Sequence, residues 1–185
     1  MRWQRLFEDL EAQVEQADQA ELGAEVADRT RRELARVRLA DRLRAAVGGQ
    51  VTVRVAGVGL LQATVQAVGP DWLLLAERAG FEALVPLGSV VGITGLGPRS
   101  SVPGTEGVVV ARLGLAHALR GVARDRSDVR VTLVDGSGAS GTVDRVGTDF
   151  FELAERGLHD ARRPVVGHTV QTVPFAGLGI LRRAV

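Results

Sequence analysis

The sequence predicts an α+β chain, mainly β: an N-terminal helical segment followed by two tandem five-stranded barrels, each preceded by a helix. Three observations lead there. The apolar period changes from helical to alternating near residue 50. The alternating part breaks into short β-branched runs punctuated by Gly, Pro or Asp. One phrase is written twice, as VGPDWLLLAER at 68–78 and VGTDFFELAER at 146–156. The boundaries that follow are a helical segment at 1–34, a first barrel at 35–96, a linker at 97–110 and a second barrel at 111–185.

Residues 2–47 read as helix. Trp3, Leu6, Phe7, Leu10 and Val14 fall on one helical face, and Leu34, Val37, Leu39, Leu43 and Val47 supply a second apolar stripe. Gly23 marks a bend or break, and Gly48-Gly49 stops the helix. Charge is segregated: acidic from Glu8 to Asp28, mainly basic from Arg29 to Arg44. One reading is self-pairing of the two segments, within a chain or between chains; the other is a basic face left for phosphates. Self-pairing is favoured, because charge on an exposed helix is usually solvated or loosely paired.

The strand runs of the first half are 51–55, 60–68, 71–77, 81–86 and 90–93, and TGLGPRSSVPGTEG (94–107) reads as a linker. The pattern then restarts. A helix over 111–126 echoes 35–50, and strands follow at 129–134, 139–146, 149–155, 168–174 and 178–182. A slide of 78 residues superposes 51–78 on the second half without a gap; later, ALVPLGSV matches QTVPFAGL after the insertion GLHDARRPVVG. The phrase recurs because the domain recurs. Gly69 and Gly147 stand between two strands, where a turn needs positive φ. Asp71 and Asp149 accept backbone N–H groups at that turn, and the residues after them start a core-facing strand. A helix and five strands in so short a span favour a small bent barrel, which removes sheet edges.

The string V-x-V-x-(V/L)…T-V-x-x-V-G-x-D-(W/F)-x-x-L-A-E, then V-P-x-x-x-(V/L), resembles the Sm-like fold of the SH3-like barrels, including its bacterial Hfq branch. The likeness spans about 35–96 and again 111–183. The whole chain, with its N-terminal WQRLFEDLEAQ, also resembles a family of actinobacterial proteins, a likeness that implies no activity. The Sm resemblance implies nucleic-acid binding, RNA above all, and assembly into rings. The departures are specific. No Asn follows the motif Asp: Leu73, Leu74 and Leu75 follow in the first copy, Phe151, Glu152 and Leu153 in the second. The Arg-Gly of the second Sm motif and the Tyr-Lys-His of Hfq are absent; Val85-Pro86-Leu87 and Val173-Pro174-Phe175 occupy the matching turn.

Composition narrows the classes. Apolar residues make up 45% of the chain, enough for a core, and the formal net charge is +1, so any electrostatic partner needs a local patch. There is no Cys, hence no disulfide or thiolate chemistry. There is also no Lys, Asn or Tyr; this Arg-only alphabet suggests GC-rich coding and discounts Arg as a binding signal. No run approaches the ~18 apolar residues of a membrane span, and MRWQRLFEDLEAQ does not resemble a signal peptide, so the expectation is a cytoplasmic protein without a membrane partner.

Motifs for chemistry are weak. GSGASG at 136–141 matches GxGxxG, but a strand follows where a dinucleotide site needs a helix, so Asp135-Gly136 reads as a hairpin. His117, His159 and His168 are scattered without ligand spacing. No nucleophile elbow or triad can be argued, and the expectation is no enzyme, no cofactor and no metal. The candidate nucleic-acid residues are Asp71, Trp72, Asp149 and Phe151 as stacking turns, with Arg54, Arg130 and Arg145 as outward cations. Arg162-Arg163 and Arg182-Arg183 are further cations. Core packing for the aromatics and ordinary surface charge for the arginines are the plainer readings.

The functional expectation is a non-enzymatic nucleic-acid-binding regulator, with RNA as partner. The alternative is a protein–protein scaffold working through the charge-segregated N-terminal helix. A DNA-binding regulator using the Arg29–Arg44 helix ranks last, for want of a helix–turn–helix. A homo-oligomer, dimer or trimer, is expected.

Overall fold

A computed structural model describes residues 19, 22–23, 25–78, 80–102, 113–155 and 169–184. It divides into two compact units, Met1–Arg38 and Leu39–Val185. In the first, residues 25–34 are helical (α1). Asp28 pairs with Arg31 and Arg32, and Arg29 with Glu33, all three or four residues apart. Here the meeting of acidic and basic residues is local to one helix. The stripe from Trp3 to Val14 lies outside the described residues.

The helix expected to run to residue 47 is interrupted. Arg36 N–H bonds Glu33 O and Val37 N–H bonds Leu34 O, three-residue closures that tighten and end the helix. A fresh helix, α2, covers Leu39–Arg44. Beyond it Gly48 N–H donates to Val65 O at 2.8 Å and Val65 N–H to Gly49 O at 3.0 Å, which stitches the turn to the sheet.

The strands follow the sequence runs closely: β1 Gln50–Val55, β2 Gly59–Val68, β3 Trp72–Glu77, β4 Phe81–Pro86 and β5 Val90–Thr94. Then come α3 Leu115–Asp125, β6 Asp128–Leu133, β7 Gly138–Val146, β8 Phe150–Glu155, β9 Val170–Pro174 and β10 Leu178–Ala184. Alternation explains them. Val51, Val53 and Val55 are buried while Gln50 and Arg54 face solvent. The repeat is real at the level of register. Leu73 faces Val85 as Phe151 faces Val173, and the irregularity between Val65 and Ala67 recurs between Val143 and Arg145.

The closure is where the expectation fails. There are not two five-stranded barrels but one open, antiparallel, ten-stranded sheet in the order β5-β1-β2-β3-β4-β10-β6-β7-β8-β9. β4 does not close its own repeat; it pairs with β10, the last strand of the other. The register sets Leu181 opposite Leu84 and Arg183 opposite Glu82. This seam removes two strand edges from water and adds complementary charge, Arg183 to Glu82 at 2.8 Å and Arg182 to Glu77. Both pairs are partly exposed, so each adds at most about 1 kcal/mol.

The cores cross the seam too. One apolar cluster gathers Leu43, Val53, Val65, Leu73, Leu75 and Val85 and takes in Ile180 from β10. The other gathers Leu119, Val131, Phe151, Leu153 and Leu178 and takes in Leu84 from β4. Ser89, itself buried, donates its hydroxyl to Leu178 O across the same junction.

Candidate functional site

The doubled phrase builds a doubled turn. Gly69 N–H bonds Trp72 O at 2.9 Å, and Gly147 N–H bonds Phe150 O at 2.8 Å. Neither glycine has positive φ, contrary to the sequence expectation. Glycine is needed because an aromatic ring lies on its bare Cα. A Cβ at Gly69 would stand 2.2 Å from Trp72 Nε1, and one at Gly147 2.5 Å from Phe150 Cε1. An arginine from the preceding helix reaches each turn: Arg44 bonds Gly69 O at 3.4 Å, Arg120 bonds Gly147 O at 3.3 Å. The aspartate carbonyls also recur, Asp71 O accepting from Leu87 and Asp149 O from Phe175.

In the first copy the turn docks the second repeat. Asp71 Oδ1 accepts the Leu115 N–H at 2.8 Å, at the first residue of α3. Trp72 Nε1–H donates to Leu113 O at 2.7 Å. Trp72 thus spends its polar edge on the neighbouring repeat and its ring on Gly69 and the second core cluster. Phe151, the other aromatic candidate, is 0% exposed inside that cluster. Asp149 is exposed, at the turn under Phe150.

Arg54 and Arg130 are exposed on β1 and β6, with β2, β3, β4 and β10 between those strands in the sheet order. Arg145 is exposed on β7 and pairs with Glu152 at 2.8 Å. The structure therefore brings Asp71 and Trp72 together at the seam and leaves the three arginines on separate strands. His117 is exposed on α3, while His159, His168 and Arg162-Arg163 lie outside the described residues.

Hollows at the surface of the described residues include a groove and a smaller depression. A groove of about 430 Å³ runs over β1, β2, β3 and β5, with Thr52, Gln62, Thr64, Glu77, Arg78 and Thr94 among its walls. A depression of about 210 Å³ sits at the seam between β3, β4, β10 and α3, where Trp72, Leu74 and Val122 form an apolar floor. Arg183, ion-paired there with Glu82 and Asp125, is held above its ordinary pKa, chiefly by the hydrogen bond to Glu82. Asp135, in the β6–β7 turn, is held below its ordinary value by the hydroxyl and backbone N–H of Ser137. Among the described residues no three His, Cys, Asp or Glu side chains cluster as a metal site would require. No helix among them is long and apolar enough to cross a membrane.

The feature that residue-by-residue reading missed is the pair of sheet edges. β5 (VVGIT) and β9 (VQTVP) terminate the sheet, and neither carries a charge, in a chain that is 24% charged. Val91 on β5 is 66% exposed and Val170 on β9 is 50% exposed. Edge strands are normally shielded by charges or by a covering element. The missing charge was visible in the sequence, but not that these two strands stand at the ends.

No protein-family model matches the chain, and no curated protein or solved structure matches it significantly. The likeness to the Sm-like fold thus rests on the quoted residues alone.

Proposed function

We propose that this chain is a non-enzymatic protein-interaction module, a scaffold that binds by adding a strand to its open sheet edges. The carrying observation is the pair of uncharged edge strands with exposed valines. An unpaired edge offers a row of backbone donors and acceptors, which gives affinity, while alternate side chains give selectivity. The groove adjoins one of these edges, since Thr94 belongs to β5 and lines it. A strand laid on β5 would border its polar wall. The disposition of the aromatics supports this reading over RNA binding: Phe151 is in the core and Trp72 is committed at the seam.

The test compares the tagged full chain with its Val91→Lys/Val170→Lys variant in affinity isolation from the source cells. The expected result is a co-purifying protein that the variant loses. Nuclease-sensitive material of high absorbance at 260 nm, retained by the variant and lost on Arg54→Glu/Arg130→Glu, would replace the scaffold with an RNA binder. A labelled RNA titration would then show affinity falling steeply with salt.

A further inference from the structure

The seam is a worked example of how one repeat receives the next. In it β4 of the first repeat pairs with β10 of the second. β10 is the counterpart of β5: Leu181 faces Val131 on β6 as Ile93 faces Val53 on β1, and both strands shift register at the same place. β9 is the counterpart of β4, as its pairing with β8 shows. Among the described residues, one strand of each type that the seam joins thus stands at an end of the sheet. The open edges are the two halves of an interface that the molecule already makes once, internally.

Resting on the scaffold reading, we propose that the occupant of these edges is a second copy of this chain, its β5 pairing antiparallel with β9 in head-to-tail assembly. The seam fixes the register. Arg182 faces Ala83 and Leu181 faces Leu84; the equivalent contacts set Thr94 against Gln171 and Ile93 against Thr172 of the two copies. Burial agrees. Leu84 is 5% exposed at the seam, whereas its counterpart Thr172 is exposed. Leu115 is 3% exposed beside the seam, whereas Leu39, its counterpart at the start of α2, is 42% exposed. Such an interface is heterologous, so each added copy offers a new free edge until the arrangement closes on itself.

The copy-to-copy junction is weaker than the seam. The Arg183–Glu82 pair becomes Gly95 against Val170, and Ser89, which bonds across the seam, becomes Gly177. Gly179 lets Ala56 O approach to where a Cβ would be only 2.7 Å away, and Val91 stands in its place on β5. The copies thus pair through residues 93–96 and stand apart at Val91. The association is concentration-dependent.

Cysteine crosslinking tests the register, and the chain has no Cys to interfere. Opposed residues in an antiparallel pair lie about 4.5–5.5 Å apart at Cα, within the reach of a disulfide. Full-length Thr94→Cys/Gln171→Cys, mildly oxidised, is expected to lose its monomer band to a covalent ladder or a single closed species. Either single variant, and Thr52→Cys/Gln171→Cys with the cysteine one strand in, should keep the monomer band. Light scattering should report a mass above 19.6 kDa that rises with concentration, and Thr94→Asp/Gln171→Asp should lower it with the circular dichroism unchanged. A monomer at all concentrations overturns the proposal. So does an oligomer that no edge pair crosslinks, or one in which the Thr52 control crosslinks equally. A monomeric chain that still loses a protein partner in the Val91→Lys/Val170→Lys variant overturns this proposal alone and leaves the scaffold reading standing.

Discussion

Trp72 and Phe150 each roof a glycine three residues earlier, and this local event explains most of the repeated phrase. A ring closing over a bare Cα tightens the turn, and Asp71 or Asp149 then presents its carbonyl to the next short helical turn. The sequence located both turns and their aspartates, because Gly, Asp and an aromatic at fixed spacing are local signals. It did not show why glycine is required, since the direction of a ring is set by the packing around it. Asp135 is a second local device. Its carboxylate accepts two hydrogen bonds from Ser137, the backbone N–H at 2.8 Å and the hydroxyl at 2.6 Å. Its pKa is lowered in the fold, so the stabilisation is present above the ordinary aspartate range and fades as pH falls through the lowered value. Ser137→Ala should raise the Asp135 pKa toward its ordinary value, read by carboxyl chemical shifts in an NMR titration. It should also flatten the acid dependence of stability.

At the scale of elements, strand alternation made the β-runs legible to within a residue or two, whereas the helix read over 111–126 begins only at Leu115, after the extended Gly114. Closure was not legible, because strand partners are chosen by contacts far apart in sequence. Glu82 and Arg183 stand 101 positions apart yet meet in one rung. Read alone, Arg182-Arg183 looks like free cationic surface; beside Glu77 and Glu82 it is a pairing code. The β1–β2 hairpin also meets the second repeat at close range. Gly57 has φ +71°, and a Cβ there would lie 2.0 Å from Leu133 O. Gly57→Ala adds both left-handed strain and a backbone clash, so its cost should reach on the order of 3 kcal/mol. Urea denaturation would measure it. A change within about 0.5 kcal/mol, the size of an ordinary surface substitution, would mean the hairpin tip does not touch the second repeat.

For the Leu39–Val185 unit, the question is whether two repeats with two apolar clusters unfold as one body. The cross-seam residues say that they do. Ile180 belongs to β10 but is buried in the first cluster, and Leu84 belongs to β4 but is buried in the second. Neither cluster is complete without the other repeat's strand, so opening the seam damages both cores and frees two strand edges at once. Cooperativity follows when no part can leave without exposing the surface of the rest. Leu84→Ala removes buried side-chain volume at the seam and should cost about 2–5 kcal/mol. Because the loss is shared, it should move one transition rather than split it. In a Trp3→Phe background, Trp72 is the remaining tryptophan and its fluorescence reports the seam; far-ultraviolet circular dichroism reports the sheet, so the two midpoints should shift together in the variant. Separate midpoints, with the fluorescence change coming first, would mean that the repeats are joined by the seam but stable without it.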